Sequence, residues 1–254
     1  MGRVDPFRDF SKFLKMQELL AKDEKIKELL LIIVMYNTNL RVGDALSLRW
    51  CDVIDENYKV RNRFYIEESK LRYLRKKKKK INKKFIPMTL QLKDSLLNIF
   101  FKYQSEISYY DYIFRSRSFC KKGQNISWSR SYVYLFVKKY ADLAGVEDDI
   151  IGAHSIRKTW AYHAYNQLKI PIDRISRELN HSSIQVTERY AGIDEDIQRE
   201  HYNMVSKLAE SIQQYVKIDN LPKKHWKKPD KRKKKPKIVK PKIVKPKKRE
   251  LRRE

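Results

Sequence analysis

Two short segments carry nearly all the excess positive charge of this 254-residue chain, and they limit where a folded core can lie. The formal net charge is +27; residues 221–254 contribute +15, residues 61–84 contribute +10, and the other 196 residues contribute +2. Charge packed that densely repels itself and cannot be compacted, so residues 217–254 are expected to form a disordered basic tail. PKIVK occurs twice in tandem at 236–245, and proline at every fifth residue excludes a helix there. An excess of lysine and arginine on this scale calls for a polyanionic partner: DNA, RNA or an anionic membrane. The extended tail disfavours the membrane, which would need an amphipathic helix.

The near-neutral remainder is long enough for one large domain. Residues 1–25 read as a short N-terminal segment, partly helical, ahead of a domain over 26–216. IKELLLIIVMYN (26–37) reads as a buried helix, interrupted over Asn37–Gly43, with Asp44 capping a second short helix, DALSLRW. From Cys51 to Met88 the runs VIDENYKV, RFYIEES and KFIPM are rich in β-branched and aromatic residues between polar turns. They predict a small antiparallel sheet whose last connection, residues 71–82, is strongly basic. Helical patterns then cover 89–104, 129–144, 154–168, 172–180, 183–190 and 194–216, so the expected fold class is α+β and mostly helical. Cys51 and Cys120 fit neither a disulfide framework nor a metal site and read as buried free thiols. The start of the chain lacks the apolar run of a signal peptide. The longest apolar stretch, Leu29–Tyr36, is far shorter than the roughly 20 residues of a membrane span. A soluble cytoplasmic protein is expected.

Three groups of residues carry chemistry. His154 and Arg157 stand three apart at the start of a helix, so an imidazole and a guanidinium face the same small volume. A phosphate suits that pair, since the planar fork grips two oxygens and the imidazole can also move a proton. His181 precedes Tyr190 by nine residues. Asn180 can end the preceding helix in the left-handed conformation and Ser182–Ser183 can start the next, which lets His181 and Tyr190 approach one another. Arg41 sits at the break between two apolar helices in NTNLRVGDALSLRW, where a partly buried guanidinium needs an anion. Asp44 and Asp52 are the internal candidates for that anion, and a bound phosphate is the external one.

Taken in order, these segments resemble the tyrosine recombinase (phage integrase) family: Arg in NLRVGDALSLRW, Lys in a basic hairpin, His-x-x-Arg in AHSIRKTWAYHAY, His in LNHSSIQVTERY, then Tyr. The resemblance covers roughly residues 26–216 and implies that family's catalytic-domain fold. By position it implies Arg41, Lys70, His154, Arg157, His181 and Tyr190 as catalytic residues. Lys70 best fits the family's hairpin lysine, with Lys76 to Lys80 as competitors. The family usually writes Gly where this chain has Asn180, and it usually carries a helical domain ahead of the first arginine, where only 40 residues stand here.

The chemistry so implied is cleavage and rejoining of double-stranded DNA through a 3′-phosphotyrosyl intermediate. Tyr190 is the nucleophile, Arg41 and Arg157 grip the phosphate oxygens, His154 takes the proton, His181 donates to the phosphate and Lys70 acts as general acid. A phenol ionises near pH 10, and nearby cations are expected to ease that. No paired carboxylates or His/Cys cluster suggest a metal, and no small-molecule cofactor is expected. Arg72, Arg75, Lys76, Lys77, Lys78, Lys79, Lys80, Lys83 and Lys84 are expected to contact the DNA backbone, which positions the duplex without reading its sequence. The family works as tetramers on DNA, often exchanging a C-terminal helix. The stripe Ile197, Met204, Val205, Leu208, Ile212 and Val216 would suit that exchange, or packing on the chain's own domain. A prokaryotic, viral or plasmid source follows from the same resemblance. The competing possibilities are a non-catalytic DNA-binding regulator on this fold, a type IB topoisomerase-like enzyme and an RNA-binding protein.

Overall fold

The computed structural model describes residues 4–69, 83–116, 124–147 and 150–215. Lys70, Arg72, Arg75 and Lys76 to Lys80 lie outside the described residues, as do Cys120 and the basic tail. The chain divides into one unit, Met1–Met204, and a second that starts at Val205. In the second, residues up to Tyr215 continue a helix.

Helix α1 (Phe10–Lys22) starts where the Asp9 carboxylate accepts the Ser11 amide, and it buries Phe13, Met16 and Leu20. Helix α2 (Ile26–Thr38) is apolar around most of its circumference and is correspondingly central, with Leu30, Leu31, Ile32, Val34 and Met35 all buried. It packs against α1, α5 (Leu90–Tyr103) and α7 (Ser155–Asn166), while α1 packs on α6 (Arg130–Leu143). Phe7, Phe13, Met16 and Leu20 belong to the same core as α2 and α6. The N-terminal segment is therefore part of that core, not a lead-in that stops at residue 25. Its apolar residues supply one wall of the box around α2.

Two short helices follow, α3 (Val42–Ala45) and α4 (Trp50–Val53), and then a two-stranded antiparallel sheet of β1 (Arg63–Ile66) and β2 (Lys84–Pro87). Phe64 pairs with Ile86 on the buried face, and Tyr65 pairs with Phe85 on the exposed one. The run 53–60 was expected as a further strand, but it folds back on itself instead. Asp55 accepts the amides of Asn57 and Lys59, Tyr58 is left-handed (φ 60°), and only the bridge Ile54–Val60 remains. The polar Asp-Glu-Asn inside that run is a turn signal that outweighs the flanking β-formers. Asp44 likewise does not cap a helix, for it lies inside α3, whose N-cap is Arg41.

A second, smaller cluster holds the C-terminal part of the first unit. Ala161 and Ala164 of α7, Ile175 and Leu179 of α8 (Ile172–Leu179), Ala191 of α9 (Ile184–Ala191) and Ile193 pack together, with Tyr190 at the edge. α10 (Ile193–Tyr215) follows, and Ile197 and Met204 on it are exposed. No helix among the described residues is long and apolar enough to cross a membrane.

One buried histidine links the N-terminal segment to α7. The His163 ring meets Phe10 edge-on at 4.9 Å between centroids and lies 3.3 Å from the Tyr36 hydroxyl through Nδ1. Burial pushes its pKa below the ordinary value, against the pull of the Phe7 and Arg8 backbone. A histidine so depressed binds fewer protons folded than unfolded, so its contribution is full above about pH 6.5 and is lost as the pH falls toward the lowered value. Stability should therefore decline on acidification, by at most about 1.4 kcal/mol per pH unit for this one proton. Denaturant titrations at stepped pH check this, and His163→Leu should flatten the slope.

Candidate active site

Five of the six expected catalytic residues, all but the undescribed Lys70, lie near one another where the two clusters meet. Asn39 ends α2 in the left-handed conformation (φ 54°), which turns the chain so that Arg41 leaves the core pointing outward. The Arg41 side chain is 18% exposed, and Nη1 donates to Glu68 Oε1 at 2.7 Å. Its internal anion is thus Glu68, not Asp44 or Asp52. Those two carboxylates serve backbone amides, Asp44 that of Ser69 at 2.9 Å and Asp52 that of Arg49 at 2.8 Å.

Arg157 lies in the first turn of α7 and is 1% exposed. A guanidinium buried this deeply must find acceptors. It donates to the carbonyl oxygens of Asn39 and Leu179 and lies 3.9 Å from Glu68. It therefore joins the ends of α2 and α8, one from each cluster. His154 occupies the N-cap position of the same helix. Burial first, then the charges of Arg157, Arg130, Arg41 and Lys158, hold its pKa below the ordinary histidine value. At neutral pH it is uncharged and able to accept a proton.

The α8–α9 turn has the expected form. Asn180 is left-handed (φ 54°, ψ 50°) and Ser183 caps α9 through the Val186 amide. Its consequence is a T-shaped contact between the His181 and Tyr190 rings, 4.9 Å between centroids. Thr187, one turn before Tyr190, lies 3.0 Å from His181 Nδ1 and fixes the imidazole from behind. Lys158 Nζ stands 5.3 Å from the centre of the Tyr190 ring. Burial pushes the Tyr190 phenol above its ordinary pKa, with Arg157 and Arg41 pulling the other way without overcoming it. The expectation of a phenol eased toward ionisation therefore does not hold in the DNA-free protein. Taking the ring out of water outweighs the two cations.

Arg41, His154, Arg157, His181 and Tyr190 are thus brought together from the α2–α3 junction, the start of α7, the α8–α9 turn and the end of α9. Of the hairpin cations expected to touch DNA, Lys83 and Lys84 are described. Lys83 is exposed, whereas Lys84 Nζ pairs with Glu178 of α8 at 2.8 Å. Glu68, Arg130 and Lys158 were not singled out from sequence. Arg130 packs so closely over Gly43 that a Cβ there would lie 2.5 Å from its Nη2.

Comparison with known proteins decides what this arrangement belongs to. The model of the phage integrase family matches residues 10–196. The chain belongs to the phage integrase family. A probable integrase/recombinase of Bacillus subtilis, YoeC, is 32% identical over 208 residues, 82% of this chain and the whole of that one. Tyrosine recombinase XerH of Campylobacter jejuni is 26% identical over 175 residues, which cover 69% of this chain and 44% of XerH. Among solved structures, XerA recombinase has the same fold, with a TM-score of 0.57 at 17% identity over 80% of this chain and 64% of that one. XerH bound to its difH substrate in a post-cleavage complex also aligns with a TM-score of 0.57, over 80% of this integrase and 54% of that chain.

Proposed function

We propose that this integrase cleaves and rejoins double-stranded DNA by forming a 3′-phosphotyrosyl intermediate, without a metal ion. The observation that carries the proposal is the juxtaposition of a half-buried phenol, two guanidiniums and two imidazoles. Among the described residues no group of three or more His, Cys, Asp or Glu is placed to hold a metal. The Tyr190 hydroxyl oxygen attacks the phosphorus in line, the bond to the 5′-oxygen breaks, and the phenolic proton passes to His154. Arg41 and Arg157 bind the non-bridging oxygens, where charge grows in the transition state, and His181 donates a further hydrogen bond there. Lys70 supplies the proton that the leaving 5′-oxygen needs. The phosphotyrosyl ester retains the energy of the broken bond, so rejoining requires no nucleotide.

The basic hairpin residues Arg72, Arg75, Lys76 to Lys80 and Lys83 would add phosphate contacts beside this pocket, and the tail would add affinity that does not depend on sequence. Lys84 joins them once DNA competes with Glu178 for its ammonium. Self-association on DNA, as a tetramer acting on two duplexes, completes the proposal. Relatives named as DNA-bound complexes, including a lambda integrase tetramer on a Holliday junction, support it.

The test is a nicked suicide duplex, in which the short 5′-hydroxyl strand diffuses away after cleavage and strands the enzyme on the DNA. Wild-type protein should form a complex that survives denaturation, at a rate that is level near neutral pH and falls on acidification only at a pH below the ordinary histidine value, because burial and the neighbouring cations delay protonation of His154. Tight DNA binding without such a complex would make the protein a DNA-binding regulator instead. Relaxation of supercoiled plasmid lacking any target site would make it a topoisomerase.

A further inference from the structure

Glu68 is an acidic residue set between the two arginines of this site, and the chemistry above gives it no task. It is 2% exposed, and a carboxylate so far from water persists as an anion only if it is fully engaged. Its partners come from three separate parts of the chain. Oε1 accepts from Arg41 Nη1 at 2.7 Å and lies 3.9 Å from Arg157 Nη1, while Oε2 accepts from Asn180 Nδ2 at 3.1 Å. Asn180 immediately precedes His181, and Glu68 immediately precedes Ser69, whose amide is held by Asp44.

We propose that Glu68 is the positioning residue that aims Arg41 at the scissile phosphate. The inference rests on the proposed function, in which Arg41 grips that phosphate. Arg41 is held at one guanidinium nitrogen only, and among the described residues its remaining donors have no other acceptor. With one end of the fork fixed by Glu68, the remaining donors are left for a phosphate, as a phosphate clamp requires. The charge balance fits as well: one carboxylate against two guanidiniums leaves the pocket net positive for an incoming phosphate.

The simpler account is that Glu68 merely neutralises the buried Arg157. The distances argue against it. Arg157 directs its direct hydrogen bonds to two carbonyl oxygens, and the short ionic contact of Glu68 goes to the more exposed Arg41. A neutralising partner would do the reverse.

The experiment is a double-mutant cycle between Glu68 and Arg41, read as the single-turnover rate of covalent complex formation on the suicide duplex at saturating full-length protein. Glu68→Ala should lower the rate on the order of 100-fold, because the misaimed guanidinium no longer meets the phosphate. Glu68→Gln keeps the size and one acceptor for Arg41 and should recover the rate to within about tenfold of wild type. In an Arg41→Ala background either substitution should cost less than about threefold, since nothing remains to be aimed. DNA affinity should change less than the rate does. If Glu68→Ala does not fold, the Glu68→Gln cycle alone decides. A cost that is the same with and without Arg41 would overturn the inference and leave Glu68 a structural residue. A wild-type protein that forms no covalent complex would overturn the proposed function itself.

Discussion

Tyr190→Phe should form no covalent complex with a suicide duplex while binding DNA as tightly as the wild type. The substitution removes one oxygen and keeps the ring, so the T-shaped contact with His181 and the packing at the edge of the second cluster survive. What disappears is the only atom proposed to bond to phosphorus. The effect is therefore the full rate and not a fraction of it, unlike loss of a donor, which typically costs about 100- to 1000-fold. Thermal melting should place the variant within about 1 kcal/mol of wild type. Denaturing electrophoresis of protein on labelled DNA reads the outcome directly, and a complex that persists in Tyr190→Phe would reassign the nucleophile. The burial that raises the phenol's pKa sharpens the expectation, because the pocket does not hold a ready phenolate and must remove a proton as the bond forms.

Arg157→Ala should damage both the fold and the chemistry. The side chain is buried, bonds two carbonyl oxygens and faces Glu68, so its loss strips both carbonyls of their donor and leaves Glu68 to Arg41 and Asn180 alone. Breaking a buried charged contact of this kind costs about 3 kcal/mol. The Asn39 carbonyl ends α2 and the Leu179 carbonyl ends α8, so the loss falls on the seam between the two clusters. On top of this the rate should fall on the order of 100- to 1000-fold with the loss of a transition-state donor. Arg157→Lys separates the two effects. It keeps the charge and can reach one acceptor, so it should recover much of the stability but little of the rate, because an ammonium cannot grip two phosphate oxygens as a fork does. Denaturant titration and single-turnover cleavage at saturating protein measure the two separately. Equal recovery of both would argue that Arg157 serves the fold alone.

Most of the candidate site was legible because its chemistry is tied to local sequence. His154 and Arg157 share a face through helix periodicity, and a left-handed Asn180 followed by a serine cap forces a turn that brings His181 back to Tyr190. The helices were legible for the same reason, since apolar spacing and caps are local signals. What stayed hidden depends on contacts distant in sequence. Glu68 meets Arg41 across 27 residues and Asn180 across 112, and nothing in IEES distinguishes it from a solvent-facing carboxylate. The ion pair of Lys84 stayed hidden as well, because Glu178 is far away in the chain. The run 53–60 misled differently: β-propensity favoured a strand, and the Asp55 side chain reversed the chain within it.

The opening residues of the chain behave like a strap buckled beside Tyr190. Lys158 Nζ, facing the Tyr190 ring, donates to the Val4 carbonyl at 2.6 Å, and the Phe7 amide donates to Thr159 Oγ1 at 2.8 Å. Arg8 then reaches Glu195 and Asp196, both at 3.0 Å, just past the glycine that ends α9. Anything that loosens residues 4–8 thus slackens the helix that presents the tyrosine, although no catalytic group is touched. For purification this makes the amino terminus a poor place for a handle. A bulky fusion there pulls on the buckle, and an inactive preparation would misrepresent the native protein.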